Sequence, residues 1–182
     1  MNKFVNGFFC SLVLGTCLLF SSCLKSGMEN LVNSSDKLLT TVDYTYRFLY
    51  NDTLQKGTAS EQIMEGRVCE VLFYKNVEKI DQDGMTGFRT TLTYDQNSVL
   101  KAGPTGSVSK QMLFKQFENL IQKDQLSKLW VYMTISDAAT ISPKGDAPTL
   151  GEAGDFTNDQ IYTVRAADGS SQDYLIETVK GF

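Results

Sequence analysis

Apolar and polar residues alternate along much of the chain beyond residue 40, and a period of two is the mark of a strand with one buried face. Val42, Tyr44, Tyr46, Phe48 and Tyr50 fall on one side and Thr41, Asp43, Thr45 and Arg47 on the other, which predicts a half-buried strand with an aromatic inner face. Arg67 to Tyr74 sets Val68, Leu72 and Tyr74 against Cys69, Val71 and Phe73, as expected of a central strand. Phe88, Thr90, Leu92 and Tyr94 form another alternating run. In Leu129 to Ile135 both faces are apolar: Leu129, Val131, Met133 and Ile135 point one way, Trp130, Tyr132 and Thr134 the other. A central strand is again expected. Gln160 to Ala166 and Asp173 to Val179 alternate about an Asp-Gly pair, a strong hairpin signal. Register then constrains the turn. A two-residue Asp168-Gly169 loop would oppose Val164 to Asp173, whereas an odd loop Ala167-Asp168-Gly169 sets Tyr162 opposite Tyr174 on one face, with Gly169 at positive φ. The odd loop is the expectation.

One stretch departs from period two. After Gly103-Pro104-Thr105-Gly106-Ser107, the residues Met112, Leu113, Phe117, Leu120 and Ile121 recur at helical spacing, predicting one amphipathic helix over about 110 to 122, capped by Ser107 or Ser109. Ser107-Val108-Ser109-Lys110 matches the Ser-x-x-Lys pattern of penicillin-binding enzymes, but its only Lys-Ser-Gly is Lys25-Ser26-Gly27, ahead of it in the chain, and the domain is too small for that fold. Helix capping accounts for the serines. Asp81-Gln82-Asp83-Gly84 begins like a calcium-binding loop, yet Met85 falls where the third oxygen ligand belongs, so a turn between two strands is expected.

The strings ISDAATISP, GDFTN and YTVRAADGSSQDYLI, preceded by Lys123 to Leu129, resemble the C-terminal half of immunoglobulin-like β-sandwich domains in exported lipoproteins of Bacteroidetes-type bacteria. The resemblance covers about 55 residues. It implies a mostly β, immunoglobulin-like antiparallel β-sandwich with one helix, and an envelope location more than any activity. In the first half of the chain, a helix and a longer insertion stand where such domains have a short connection.

The N-terminus points to the same compartment. Residues 1–22 carry Lys3 as their only charge and a run through Leu12-Val13-Leu14 to Phe20, the pattern of a secretory signal peptide. It closes on Phe20-Ser21-Ser22-Cys23, which resembles the bacterial lipobox, with Phe20 in place of the usual leucine. Cys23 is therefore the expected lipidation site, its thiol taking the diacylglyceryl group, and two or three acyl chains such as palmitate would give a durable membrane anchor. Residues 23–37 read as a flexible tether and 38–182 as a single domain. The tether has no dense acidic run after the cysteine, which leans towards a periplasm-facing outer-membrane lipoprotein. Asp52-Thr53-Leu54 fits a short O-glycosylation pattern of the same bacteria and is read as a loop.

Composition narrows the chemistry. Without residues 1–22 the chain has 160 residues and a formal charge of −5, so nothing attracts nucleic acid. Of four cysteines only Cys69 falls in the domain, so no intramolecular disulfide can form there, and a buried inert thiol is expected. There is no histidine, which removes the commonest general base and metal ligand. No cofactor, metal or catalytic residue is expected. The expected function is a non-enzymatic, lipid-anchored binding or assembly module whose partner is an envelope protein or a glycan. Trp130 and Tyr132 are the candidate ligand residues: turned outward they would stack on sugar rings, although their size and apolarity favour the core. Two alternatives are a purely structural envelope lipoprotein and a small glycan-active enzyme using two acids from among Glu152, Asp155, Asp168 and Asp173. For each of those acids a turn or a solvated loop is the simpler reading. The loop from Ser142 to Gly154 reads as an ordered crossing between strands, long enough for a binding role.

Overall fold

The alternating runs beginning at Val42, Phe88, Leu129, Gln160 and Asp173 each form a strand, within a larger set of elements. In chain order these are β1 (Leu39–Leu54), β2 (Gln62–Leu72), β3 (Tyr74–Gln82), β4 (Met85–Thr93), β5 (Leu100–Lys101), α1 (Lys110–Asp124), β6 (Leu129–Ile135), β7 (Thr140–Lys144), β8 (Ala153–Gly154), β9 (Gln160–Arg165) and β10 (Ser171–Lys180). The computed structural model describes residues 33–103 and 106–182. Residues 1–22, Cys23 and the tether to residue 32 lie outside the described residues. Ser34 to Lys37 lie against the β9–β10 hairpin: Asp168 N donates to Ser34 O at 3.1 Å and the Tyr174 hydroxyl to Lys37 O at 3.0 Å.

The strands form two five-stranded sheets, β5-β2-β1-β6-β8 and β3-β4-β10-β9-β7, packed as a β-sandwich. The aromatic inner face of β1 is buried from Val42 to Tyr50. It shares a core with Phe88 and Leu92 of β4, Tyr162 and Val164 of β9, and Tyr174 and Ile176 of β10. Thr178 Oγ1 donates to the Tyr44 hydroxyl at 3.0 Å, a buried hydrogen bond from β10 to β1 that ties one sheet to the other. Burial pushes that hydroxyl up to about 12, so it stays neutral. Cys69 is fully buried on the inner face of β2, and burial raises its thiol to about 11. It is an unreactive core residue.

The β9–β10 hairpin has the odd loop. Tyr162 opposes Tyr174, Ala166 N donates to Ser170 O at 2.9 Å, and Gly169 takes a φ of 89°. Asp83 and Gly84 form the two-residue turn of the β3–β4 hairpin, both at positive φ, as the primed hairpin turns require. The run from Arg67 to Tyr74, read as one strand, is two. The chain leaves the first sheet at Leu72 and enters the second at Tyr74, while Phe73 between them packs on Phe117 and Phe182. Alternation continues unbroken through this crossing and therefore conceals it. The second sheet is mixed, because β10 pairs in parallel with β4. Gly87 is required there: a Cβ on it would lie 2.3 Å from Leu175 O.

Helix α1 begins at Ser109, whose side chain accepts from Met112 N at 3.2 Å, and ends at Gln125. Its buried stripe is Leu113, Phe117 and Ile121, at i, i+4 and i+8. Phe117 is the centre of an aromatic cluster, with ring centroids 4.9 Å from Tyr94, 5.8 Å from Tyr46, 5.9 Å from Phe114 and 6.0 Å from Phe73.

The segment Asp52-Thr53-Leu54, read as a loop, is the end of β1. The Asp52 side chain is fully buried. Its Oδ1 accepts from the amides of Thr53, Ser107 and Val108 and from the Ser107 hydroxyl, and its Oδ2 accepts from Gly106 N at 2.6 Å. These amides, that of Gly106 first, hold its carboxyl at about 2. Asp52 thereby fixes the segment leading into α1, and Ser107 is engaged as a donor to it.

Candidate functional site

On β6 the inner face is taken by Leu129 and Val131, which are buried, so the pleat turns Trp130 and Tyr132 to the outside of the first sheet. The core placement favoured for these two residues is thus corrected. Tyr132 is 41% exposed and Trp130 half-buried. The same alternation places Asp43, Thr45, Arg47 and Leu49 of β1 on this outer face, and register decides their neighbours. Tyr132 lies opposite Asp43, Trp130 opposite Thr45, Glu70 opposite Arg47, Leu72 opposite Thr45 and Val68 opposite Leu49.

Arg47 is the centre of the arrangement. Its guanidinium carbon lies 4.4 Å from the Trp130 ring centroid and 5.8 Å from that of Tyr132. Such a cation over an indole face is held by the ring quadrupole. Nε donates to Glu70 Oε2 at 2.7 Å, and Nη2 approaches the same oxygen at 2.6 Å and also donates to the Tyr132 hydroxyl. Lys101 Nζ lies 3.4 Å from Glu70 Oε1, and Lys75 pairs with Asp43. Thr45 Oγ1 is buried and has no hydrogen-bond partner.

These side chains enclose a shallow, open furrow. One depression of about 380 Å³ is lined by Asp43, Thr45, Arg47, Glu70, Lys101 and Tyr132 among others. A second of similar size, almost wholly apolar, is lined by Arg47, Phe48, Leu49, Val68, Trp130 and Ala153. The furrow thus offers an exposed tyrosine ring, a paired guanidinium and carboxylate, and uncovered apolar surface. That combination suits recognition of a ligand with both C–H faces and hydroxyl groups.

The other acids named from sequence are engaged in turns or an ion pair, or lie in solvent. Asp168 sits in the β9–β10 turn, where it accepts from Ser170 N at 2.8 Å and is held below the usual carboxylate range by that serine. Asp173 pairs with Lys144 and accepts from Thr163 Oγ1 at 2.6 Å, and these contacts lower it as well. Asp155 accepts from Thr157 N at 2.8 Å in a turn, and Glu152 is exposed. The loop read from Ser142 to Gly154 is shorter than expected, since Ser142 to Lys144 belong to β7 and Ala153 and Gly154 form β8; in the crossing between them Pro148 O accepts from the Tyr162 hydroxyl at 2.6 Å. Among the described residues no group of three or more His, Cys, Asp or Glu is placed to hold a metal.

Residues 89–177 match a family described as DUF5018-related. The matched span runs from β4 into β10 and includes Trp130 and Tyr132, but not Arg47 or Glu70. A crystal structure at 1.81 Å of a candidate secreted protein from Bacteroides fragilis is similar at 22% identity, covering 81% of this chain and 97% of that one with a TM-score of 0.49. No curated protein matches.

Proposed function

We propose that the protein is a non-enzymatic envelope module, anchored to the outer membrane through lipid on Cys23, that binds glycan on the outer face of its first sheet. The observation that carries this reading is the outward placement of Trp130 and Tyr132 beside the Arg47–Glu70 pair in an open furrow. Phe20-Ser21-Ser22-Cys23 supports the anchor. The two acids of the furrow are each engaged by a cation, Glu70 by Arg47 and Lys101 and Asp43 by Lys75, as suits a binding face.

Two measurements test the two halves. Trp130→Ala is expected to weaken glycan binding at least tenfold, as loss of a central aromatic contact does, while melting within a few degrees of the natural protein. Binding unchanged in that variant would remove the furrow from consideration. Intact-protein mass spectrometry of membrane fractions is expected to show a diacylglyceryl-modified chain that disappears in Cys23→Ala. An unmodified, soluble natural protein would refute the anchor.

A further inference from the structure

Resting on the glycan-binding reading of this face, we infer that the sugar it takes is acidic, with a carboxylate received by Lys101 and Arg47. The charges of the face do not cancel. Arg47, Lys101 and Lys75 stand against Glu70 and Asp43, which leaves a positive excess on a chain whose formal charge beyond residue 22 is −5. A local cationic excess in a furrow of an otherwise acidic protein draws the opposite charge to that furrow.

Register identifies the spare cation. Lys101 of β5 lies opposite Glu70 of β2, and Glu70 lies opposite Arg47 of β1, so the three form one row across the sheet: positive, negative, positive. Arg47 holds Glu70 closely, at 2.7 Å from Nε and 2.6 Å from Nη2, and the Glu70 side chain is only 15% exposed. Lys101 stands farther off, 3.4 Å from the other oxygen, with 62% of its side chain in solvent. It can turn to a ligand without leaving Glu70 unpaired, and so avoids the loss that makes breaking a desolvated pair costly. Arg47 need not let go either. Glu70 and the Tyr132 hydroxyl engage its Nε and Nη2, while the N–H groups of Nη1 donate to no described residue. Both cationic heads lie on the one Glu70 carboxylate, so a second carboxylate arriving from the solvent side can meet both.

The apolar depression receives the rest of the sugar. Arg47 is the one charged side chain among those that line it, and Leu49 and Val68 there are 64% and 52% exposed. A ring that lays its C–H face on Trp130 and these aliphatic side chains carries the carboxylate on its edge to the guanidinium. A neutral sugar leaves the positive excess unanswered, whereas a carboxylate makes charge-assisted bonds roughly twice as strong with the same donors.

The test is titration of the full chain in detergent micelles with gluco-, manno- and galacto-configured tetraoses, the corresponding uronate tetramers and the methyl esters of those uronates. Binding is read by calorimetry and by the fluorescence of Trp130, the single tryptophan of the chain. At least one uronate tetramer is expected to bind about tenfold or more tightly than both its methyl ester and its neutral counterpart, and to lose most of that advantage in about 1 M salt. Lys101→Gln, at an exposed position that leaves the melting temperature unchanged, is expected to weaken the uronate about fivefold and the neutral tetraose not at all. A neutral tetraose or methyl ester that binds as tightly as the uronate, or a uronate affinity unmoved by Lys101→Gln, would overturn the acidic class while leaving the glycan reading in place. If no sugar of the panel moves the fluorescence of Trp130, both the inference and the reading beneath it fall.

Discussion

Replacing Phe117 with alanine is expected to cost about 3–5 kcal/mol of stability, the range for deleting a fully buried aromatic side chain. The ring is completely buried and meets Tyr46 of β1, Phe73 at the crossing between sheets, Tyr94 beyond β4 and Phe114 on its own helix. Its removal therefore loosens three attachments together. The helix rests on the sandwich through a three-residue buried stripe, Leu113, Phe117 and Ile121, of which Phe117 is the middle member. Thermal denaturation should show a midpoint lowered by on the order of 10 °C. Met112→Ala is the control, since Met112 is 58% exposed on the same helix and should shift the midpoint by less than about 2 °C. Similar shifts in the two variants would contradict the placement of the helix.

Asp52→Asn should be nearly as damaging, and its effect should depend on pH. The amide oxygen can keep the contacts made at Oδ1, but the NH₂ that replaces Oδ2 is set against the Gly106 N–H and the Arg67 guanidinium, donor against donor. A midpoint lowered by roughly 5–10 °C at neutral pH is expected. The folded carboxyl titrates at about 2, against 3.8 for the group unperturbed. Between those values an unfolded chain takes up a proton that the folded chain refuses, so the contribution of Asp52 is complete above about pH 4 and is lost as the pH falls towards 2. Asp124, Asp168 and Asp173 are lowered too and keep some acid sensitivity in the variant. Denaturation curves between pH 4 and 2 should accordingly show a shallower loss of stability in Asp52→Asn, by about one proton at most. Parallel pH profiles for the two proteins would mean that the carboxyl is not held ionised by the loop.

What the sequence discloses here is whatever depends on neighbours along the chain. Alternation assigned the buried face of β1 residue by residue, helical spacing located Leu113, Phe117 and Ile121, and the parity of one hairpin loop fixed Tyr162 against Tyr174. The site depends on neighbours in space. Arg47 and Thr45 could be read only as the polar side of a strand, because nothing local says that Glu70 and Trp130 flank them. That follows from the registers of β2 and β6 against β1. Trp130 and Tyr132 were identifiable as residues but not as a surface, since a strand with two apolar faces does not reveal which one turns inward. Asp52 was obscured for the same reason. Its partners Gly106, Ser107 and Val108 lie 54 to 56 residues away.

Both sheets are closed by segments far apart in the chain. In the first sheet Thr40 of β1 bonds to Thr134 of β6 across 94 residues, and in the second β10 pairs with β4, Leu175 opposite Gly87 and Lys180 opposite Leu92. An unfolded chain can make the β1–β2 and β3–β4 hairpins early, but both remain ribbons with one bare apolar face until β6 and β10 pair with them. Assembly governed by such distant pairings is slow, on the order of milliseconds to seconds. Throughout that interval the aromatic face of β1 is uncovered, which exposes the unfinished chain to proteases and to aggregation as the finished sandwich is not.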